Sequence, residues 1–155
     1  MRLGLAIAAL VAVLDQLTKQ MMMGWLGDPF QVVEVTGFFN LVTVWNRGVS
    51  FGMFNAAGDV GPWILSLVAI AVSIALGVWL RRAESRLLAV ALGLVIGGAL
   101  GNVVDRAIYG AVYDFLDLHA FGYHWPAFNL ADSAITAGVI GILLDGLFER
   151  RKEPM

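Results

Sequence analysis

Nineteen consecutive residues from Pro62 to Leu80 carry no charge, and a chain with such a stretch has few folds open to it. A helix crossing the hydrocarbon core of a bilayer needs about 20 apolar residues. Three more stretches approach that requirement: Leu3 to about Met23, Leu87 to Val104, and about Leu130 to Phe148. Unsatisfied backbone groups in hydrocarbon cost several kcal/mol each, so such stretches cross as helices. The remainder agrees, since 14% of the 155 residues are charged against about 25% in soluble domains.

The first stretch has a second reading. Arg2 followed by an apolar run resembles the start of a signal peptide, but Asp15 and Lys19 follow where a small-residue cleavage site would stand. Asp15 and Lys19 are four apart, share one helix face and can pair, so a retained helix is the better expectation. Of ten Lys and Arg, seven fall at Arg2, at Arg81, Arg82 and Arg86, and at Arg150, Arg151 and Lys152. Four alternating helices put these three places on one side, which the positive-inside rule makes cytoplasmic. Both termini are then inside, and residues 24–61 and 105–129 form outer loops. Gln31 to Trp45, rich in Val, Thr and Phe with a turn signal at Thr36-Gly37, predicts a small β-hairpin or sheet. Trp25, Phe38, Phe39, Trp45, Phe51 and Phe54 would sit at headgroup level. The whole of 1–155 reads as a single domain, a four-helix membrane bundle with a small outer β-rich cradle.

Polar residues in the spans converge on one side. At about 1.5 Å per residue, Asp15 lies roughly 18 Å and Lys19 roughly 24 Å along the first helix. Asn102 lies roughly 23 Å along the third, with Asp105 and Arg106 about one turn further. Asp132 falls in the first turn of the fourth helix, and Asp114 precedes it in the second outer loop. An ionisable group at membrane depth is a functional candidate by default, and two carboxylates sharing a proton can act as base and acid. Structural readings stand beside these. Asp105-Arg106 suits an ion pair with a third group, Asn129 and Asp132 have the spacing of an N-cap and its N3 acid, and Asp145 suits an interfacial position. Gly93, Gly97 and Gly101 form a close-packing helix face.

Other chemistries find little support. The chain has no cysteine, and His119 and His124 are five apart with no acid placed to complete a metal site. No basic cluster suggests nucleic acid, and no serine has a positioned base. A transporter or ion-conducting subunit would need a polar path through the bilayer, yet the second span is uncharged and the inner halves of the first and third are apolar. A purely structural membrane protein leaves both aspartates unexplained.

Five segments in order carry a family resemblance. They are Asp15-Gln16-Leu17-Thr18-Lys19, Asn46-Arg47-Gly48-Val49-Ser50-Phe51-Gly52 and Gly97-Gly98-Ala99-Leu100-Gly101-Asn102-Val103-Val104-Asp105-Arg106, followed by Val112-Tyr113-Asp114-Phe115 and Phe128-Asn129-Leu130-Ala131-Asp132-Ser133. The chain resembles the bacterial lipoprotein signal peptidases (signal peptidase II), aspartyl membrane proteases. The resemblance implies a multi-pass protein of the bacterial inner membrane with its site near the periplasmic face, and a periplasmic cradle with a further loop or helix. It implies removal of signal peptides from prolipoproteins whose cysteine carries diacylglycerol, by a monomer among membrane lipids and without a cofactor. Asp114 and Asp132 become the catalytic dyad. Asp15, Lys19, Asn46, Arg47, Gly48, Asn102, Asp105, Arg106, Asn129 and Ala131 become supporting or substrate-binding residues, with Arg47 suited to a lipid phosphate or to plain solvent. The helix dipole favours negative charge at Asp132, leaving the shared proton for Asp114.

Overall fold

The structure, a computed structural model, describes residues 1–27, 32–48 and 60–150, with side chains to Phe148. Four helices carry the expected spans: α1 (Arg2–Leu26), α2 (Gly61–Leu80), α3 (Arg86–Tyr109) and α4 (Leu130–Arg150). All four are long and apolar enough to cross a membrane. The helices include the apolar stretches 3–23, 62–80, 87–104 and 130–148, with α1 and α3 running on past the apolar residues.

Local chemistry sets the ends. Pro62 opens α2, where its missing N–H costs nothing. The Ser85 hydroxyl caps α3 by accepting from Leu88 N. Gly110, at φ 69°, closes α3 in the left-handed conformation that glycine enters without strain.

α3 is the central helix: 61% of its apolar window is buried, against 22% for α1, 17% for α2 and 28% for α4. The other three pack on it, and its glycines explain how closely. A Cβ at Gly97 would lie 2.5 Å from the Ala8 carbonyl oxygen of α1, and one at Gly93 would meet Gly4 of the same helix. A Cβ at Gly98 would collide with the Ala131 carbonyl of α4. The expected glycine face thus holds α1, and the neighbouring Gly98 holds the start of α4.

At the end of the bundle where α1 and α3 finish stands an antiparallel sheet of order β1-β2-β3-β4, comprising β1 (Val32–Thr36), β2 (Phe39–Asn46), β3 (Val112–Ala120) and β4 (Tyr123–His124). The expected β1–β2 hairpin is present, with its turn at Gly37-Phe38, one residue beyond the expected Thr36-Gly37 because Thr36 still pairs with Phe39. The segment 105–129 was expected to be loop and is corrected: α3 continues to Tyr109, and β3 pairs with β2 across more than sixty residues of chain. Trp45 opposes Tyr113 and Val44 opposes Asp114. Beyond β4 the chain is loop up to α4, apart from the bridge at Phe128. Of the aromatic residues expected at headgroup level, Trp25, Phe38 and Trp45 are exposed and Phe39 is half-buried; Phe51 and Phe54 lie outside the described residues.

Candidate active site

Three strands of chain meet where β3 passes the first turn of α4. Phe115 N and Leu116 N donate to the Phe128 carbonyl, and Phe128 N donates back to Leu116 O. This short bridge lays Asn129 beside Asp114. The expected cap is present: Asp132 N donates to Asn129 Oδ1 at 3.0 Å, and Asn129 N donates to Asp132 Oδ2 at 3.2 Å. It is a reciprocal capping box, so the structural reading of that pair is right, and it leaves Asp132 Oδ1 available for other partners.

Two asparagines join the aspartates. Asn129 Nδ2 donates to Asp114 Oδ1 at 2.7 Å, and Asn102 Nδ2 donates to Asp132 Oδ1 at 2.8 Å. The asparagines are themselves linked, Asn129 Nδ2 to Asn102 Oδ1 at 3.2 Å. From β2, Asn46 Nδ2 donates to Asp114 Oδ2 at 3.0 Å, while its own Oδ1 accepts from Gly48 N at 2.8 Å. Gly48 sits at φ 82°, and a side chain there would run into Leu65. Asp114 is 1% exposed, whereas Asp132 is half-buried. Burial pushes the Asp114 carboxyl up to about 7, opposed by the hydrogen bonds from Asn46 and Asn129 and reinforced by the nearby Asp132.

Beneath the pair lies a buried ion cluster. Lys19 Nζ contacts Asp15 Oδ2 at 2.8 Å and Asp105 Oδ2 at 2.9 Å, and donates to Asn102 Oδ1 at 2.9 Å. Its three protons are therefore all used, and the third bond ties the cluster to Asn102. Asp15 Oδ1 accepts from Ala131 N at 3.0 Å, and Asp105 Oδ2 accepts from Tyr113 N at 3.0 Å. One cluster thus holds the start of α4, the start of β3, and helices α1 and α3.

Two sequence expectations change here. Asp105 and Arg106 do not form an ion pair, because Asp105 is engaged by Lys19 and points into the bundle. Arg106 has no ion-pair partner among the described residues, and its Nε is buried without a hydrogen-bond partner. Gln16 was missed. Its amide donates to Asp105 Oδ1 at 2.8 Å, to Gly101 O at 3.2 Å and to Asp15 Oδ2 at 3.3 Å. Its one signal was its place in the polar break of the first span.

The remaining expected residues separate. Arg47 is exposed at the edge of a cleft of about 380 Å³ that Asp114 lines with Val44, Trp45, Asn46, Pro126 and Ala127. Asp132 lines a second, apolar groove of about 450 Å³ with Trp125, Phe128, Thr136, Ala137 and Ile140. Both aspartates thus line openings at this end of the bundle. His119 and His124, expected in an interfacial loop, lie on β3 and β4 with rings stacked at 4.9 Å. His124 Nδ1 contacts Asp117, which Asn40 also holds. Burial raises the Asp117 carboxyl, but these two hydrogen bonds outweigh it and hold it below the usual range. Asp145, expected at the interface, is buried and accepts from the Ser85 hydroxyl. Among the described residues no group of three His, Asp or Glu is placed to hold a metal ion.

Similarity to known proteins runs through all of these elements. The family model for signal peptidase (SPase) II matches residues 7–148. A lipoprotein signal peptidase of Methylobacterium radiotolerans is 50% identical over 149 residues, covering 94% of this chain and 86% of that protein. One from Methylorubrum extorquens (strain PA1) is 48% identical over 156 residues, covering 99% and 90%. A bacterial membrane enzyme solved by the in meso method at 2.3 Å resolution is 32% identical, with a TM-score of 0.80 over 98% of this chain and 92% of its own. Sequence and fold agree over nearly the full length, and the chain belongs to the signal peptidase II family of aspartic membrane proteases.

Proposed function

We propose that this protein removes signal peptides from prolipoproteins, cutting before a diacylglyceryl-modified cysteine, with Asp114 and Asp132 as the catalytic pair. The observation that carries the reading is the hydrogen-bonded chain Asp132–Asn102–Asn129–Asp114, which holds the two carboxyls together beside open clefts. Hydrolysis of a peptide bond needs a base for the water and an acid for the leaving amine. Asp132, half-open to its groove, takes a proton from water as the oxygen bonds to the carbonyl carbon. Asp114, buried and raised, gives its proton to the nitrogen as the C–N bond breaks. The proton gained by Asp132 restores the pair, so no metal or covalent intermediate is required.

The asparagines orient the two carboxyls, and the Lys19 cluster fixes the backbone that carries them. The apolar groove at Asp132 suits the lipid-modified segment, and Arg47 guards the opening at Asp114. In this reading residues 1–155 act as one peptidase domain and as a monomer in the inner membrane. The termini lie in the cytoplasm, where the basic residues gather, and the site lies near the periplasmic face.

The test is cleavage of a purified precursor with and without diacylglycerol on its cysteine, followed by mass spectrometry. Cutting of the modified precursor alone, directly before the cysteine, is the expected result. Equal cutting of both would remove the lipid from the reading, and cutting of neither would remove the activity.

A further inference from the structure

We infer that the cytoplasmic ends of α2 and α4 form a second recognition site for the substrate, one that receives the basic N-terminal segment of the signal peptide. The inference rests on the prolipoprotein reading above and extends it to the opposite end of the bundle.

Both α2 and α4 pack on α3 rather than on each other, and between their inner ends lies a groove of about 800 Å³. Trp79, Leu88 and Leu143 wall it, while Arg82, Glu84 and Asp145 supply its charges. It is joined to the catalytic end by a single face of α4. Asp132, Thr136, Val139, Leu143 and Gly146 succeed one another at spacings of four, three, four and three, which keeps them on one side of a helix. Asp132 and Thr136 line the outer groove, and Leu143 and Gly146 line the inner one. Between them Val139 is 44% exposed and Leu143 is 64% exposed, so the face has no partner among the described residues.

The length fits a signal peptide. From Asp132 to Gly146 the face runs roughly 21 Å at 1.5 Å per residue. A signal peptide has an apolar region of about 7–15 residues between its basic start and its cleavage site, which as a helix spans roughly 10–22 Å. With its cleavage end at Asp132, its basic start reaches the inner groove.

The charge also fits. Asp145 is 6% exposed, accepts from Ser85 on Oδ1, and has no cation within ion-pair distance among the described residues. A buried carboxylate lacking a cation is costly, and an arriving lysine or arginine relieves that cost. Glu84 stands exposed at the mouth. Among the described residues, two carboxylates against one guanidinium leave the lining net negative. An anionic lipid headgroup would require the opposite balance.

The experiment uses the full chain in nanodiscs and three diacylglyceryl-modified precursors whose N-terminal segments carry lysines, glutamines or glutamates. Wild type should show a KM for the lysine precursor lower by about fivefold than for the glutamine one, the upper range for a partly exposed ion pair. Asp145→Asn, which preserves shape and the Ser85 contact, and Glu84→Gln should each narrow that ratio. Glu84→Lys should shift preference toward the glutamate precursor. A ratio near one in wild type, or one that survives in these variants, overturns the inference while the peptidase reading stands. So does activity that follows the phosphatidylglycerol content of the nanodisc through Arg82→Gln, which would make the groove a lipid site. Failure to cut any of the three precursors overturns both readings.

Discussion

Lys19 ties three of the buried polar side chains of the site together. It is fully buried between Asp15 and Asp105 and gives its third proton to Asn102. Replacing it with Met keeps much of the volume but strands two buried carboxylates, and breaking a buried ionic group in this way costs about 3–5 kcal/mol. Thermal unfolding in detergent should therefore show Lys19→Met strongly destabilised, whereas a loss below about 1 kcal/mol would mean the cluster is solvated. Asp114 makes a different prediction. Its carboxyl is raised to about 7, so it holds a proton below that pH and loses it above. Activity should fall as pH rises through about 7, and Asp114's contribution to stability, complete below about 4, should decline steadily between about 4 and 7 and be gone above that. A pH–rate profile of kcat that stays level from pH 6 to 9 would contradict the assignment of the acid to Asp114.

Among the elements, α3 and β3 do most to assemble the site. α3 carries Asn102 and Asp105, and its glycines set how near α1 and α4 come. Gly98→Val should push Ala131 and the capping box outward, lowering activity at least about tenfold, since small displacements of reacting groups carry such penalties. Gly37→Ala, with open space around its Cβ position, should stay within about 0.5 kcal/mol of wild type. Gly98→Val with undiminished turnover would show that the α3–α4 contact does not set the geometry. The helices were legible in the sequence because apolar length alone specifies them. The capping box and the Asp15–Lys19 pair were legible because their partners lie three and four residues apart. β3 was not legible, since its pairing partner β2 lies across two helices and Asp114 and Asp117 interrupt its apolar alternation. The Asp105–Arg106 pairing failed for a similar reason: the cation that reaches Asp105 is on α1, and nothing local in the chain announces it. Gln16 is hidden likewise, as an amide whose acceptors are on another helix.

At the scale of the molecule, the polar residues reach one end of the bundle, and the basic residues gather at the other. The chain has no cysteine, so single cysteines can report its orientation in cells without background. A cysteine at Gly37 should react with a membrane-impermeant maleimide from the periplasm, and one at Glu84 only after the inner membrane is opened. The reverse pattern would invert the topology and place the proposed dyad on the cytoplasmic side. Centrally, the site is held to be one aspartate pair, joined by Asn102 and Asn129, that hydrolyses the signal peptide bond. Turnover of a diacylglyceryl-modified precursor by Asp114→Asn, Asp132→Asn and, as a control on the same sheet, Asp117→Asn measures this most directly. The first two should each lose at least about a thousandfold in kcat, within the range for removal of an acid or base, with Asp117→Asn within about threefold of wild type. Turnover by either Asp114→Asn or Asp132→Asn at the wild-type rate would contradict it.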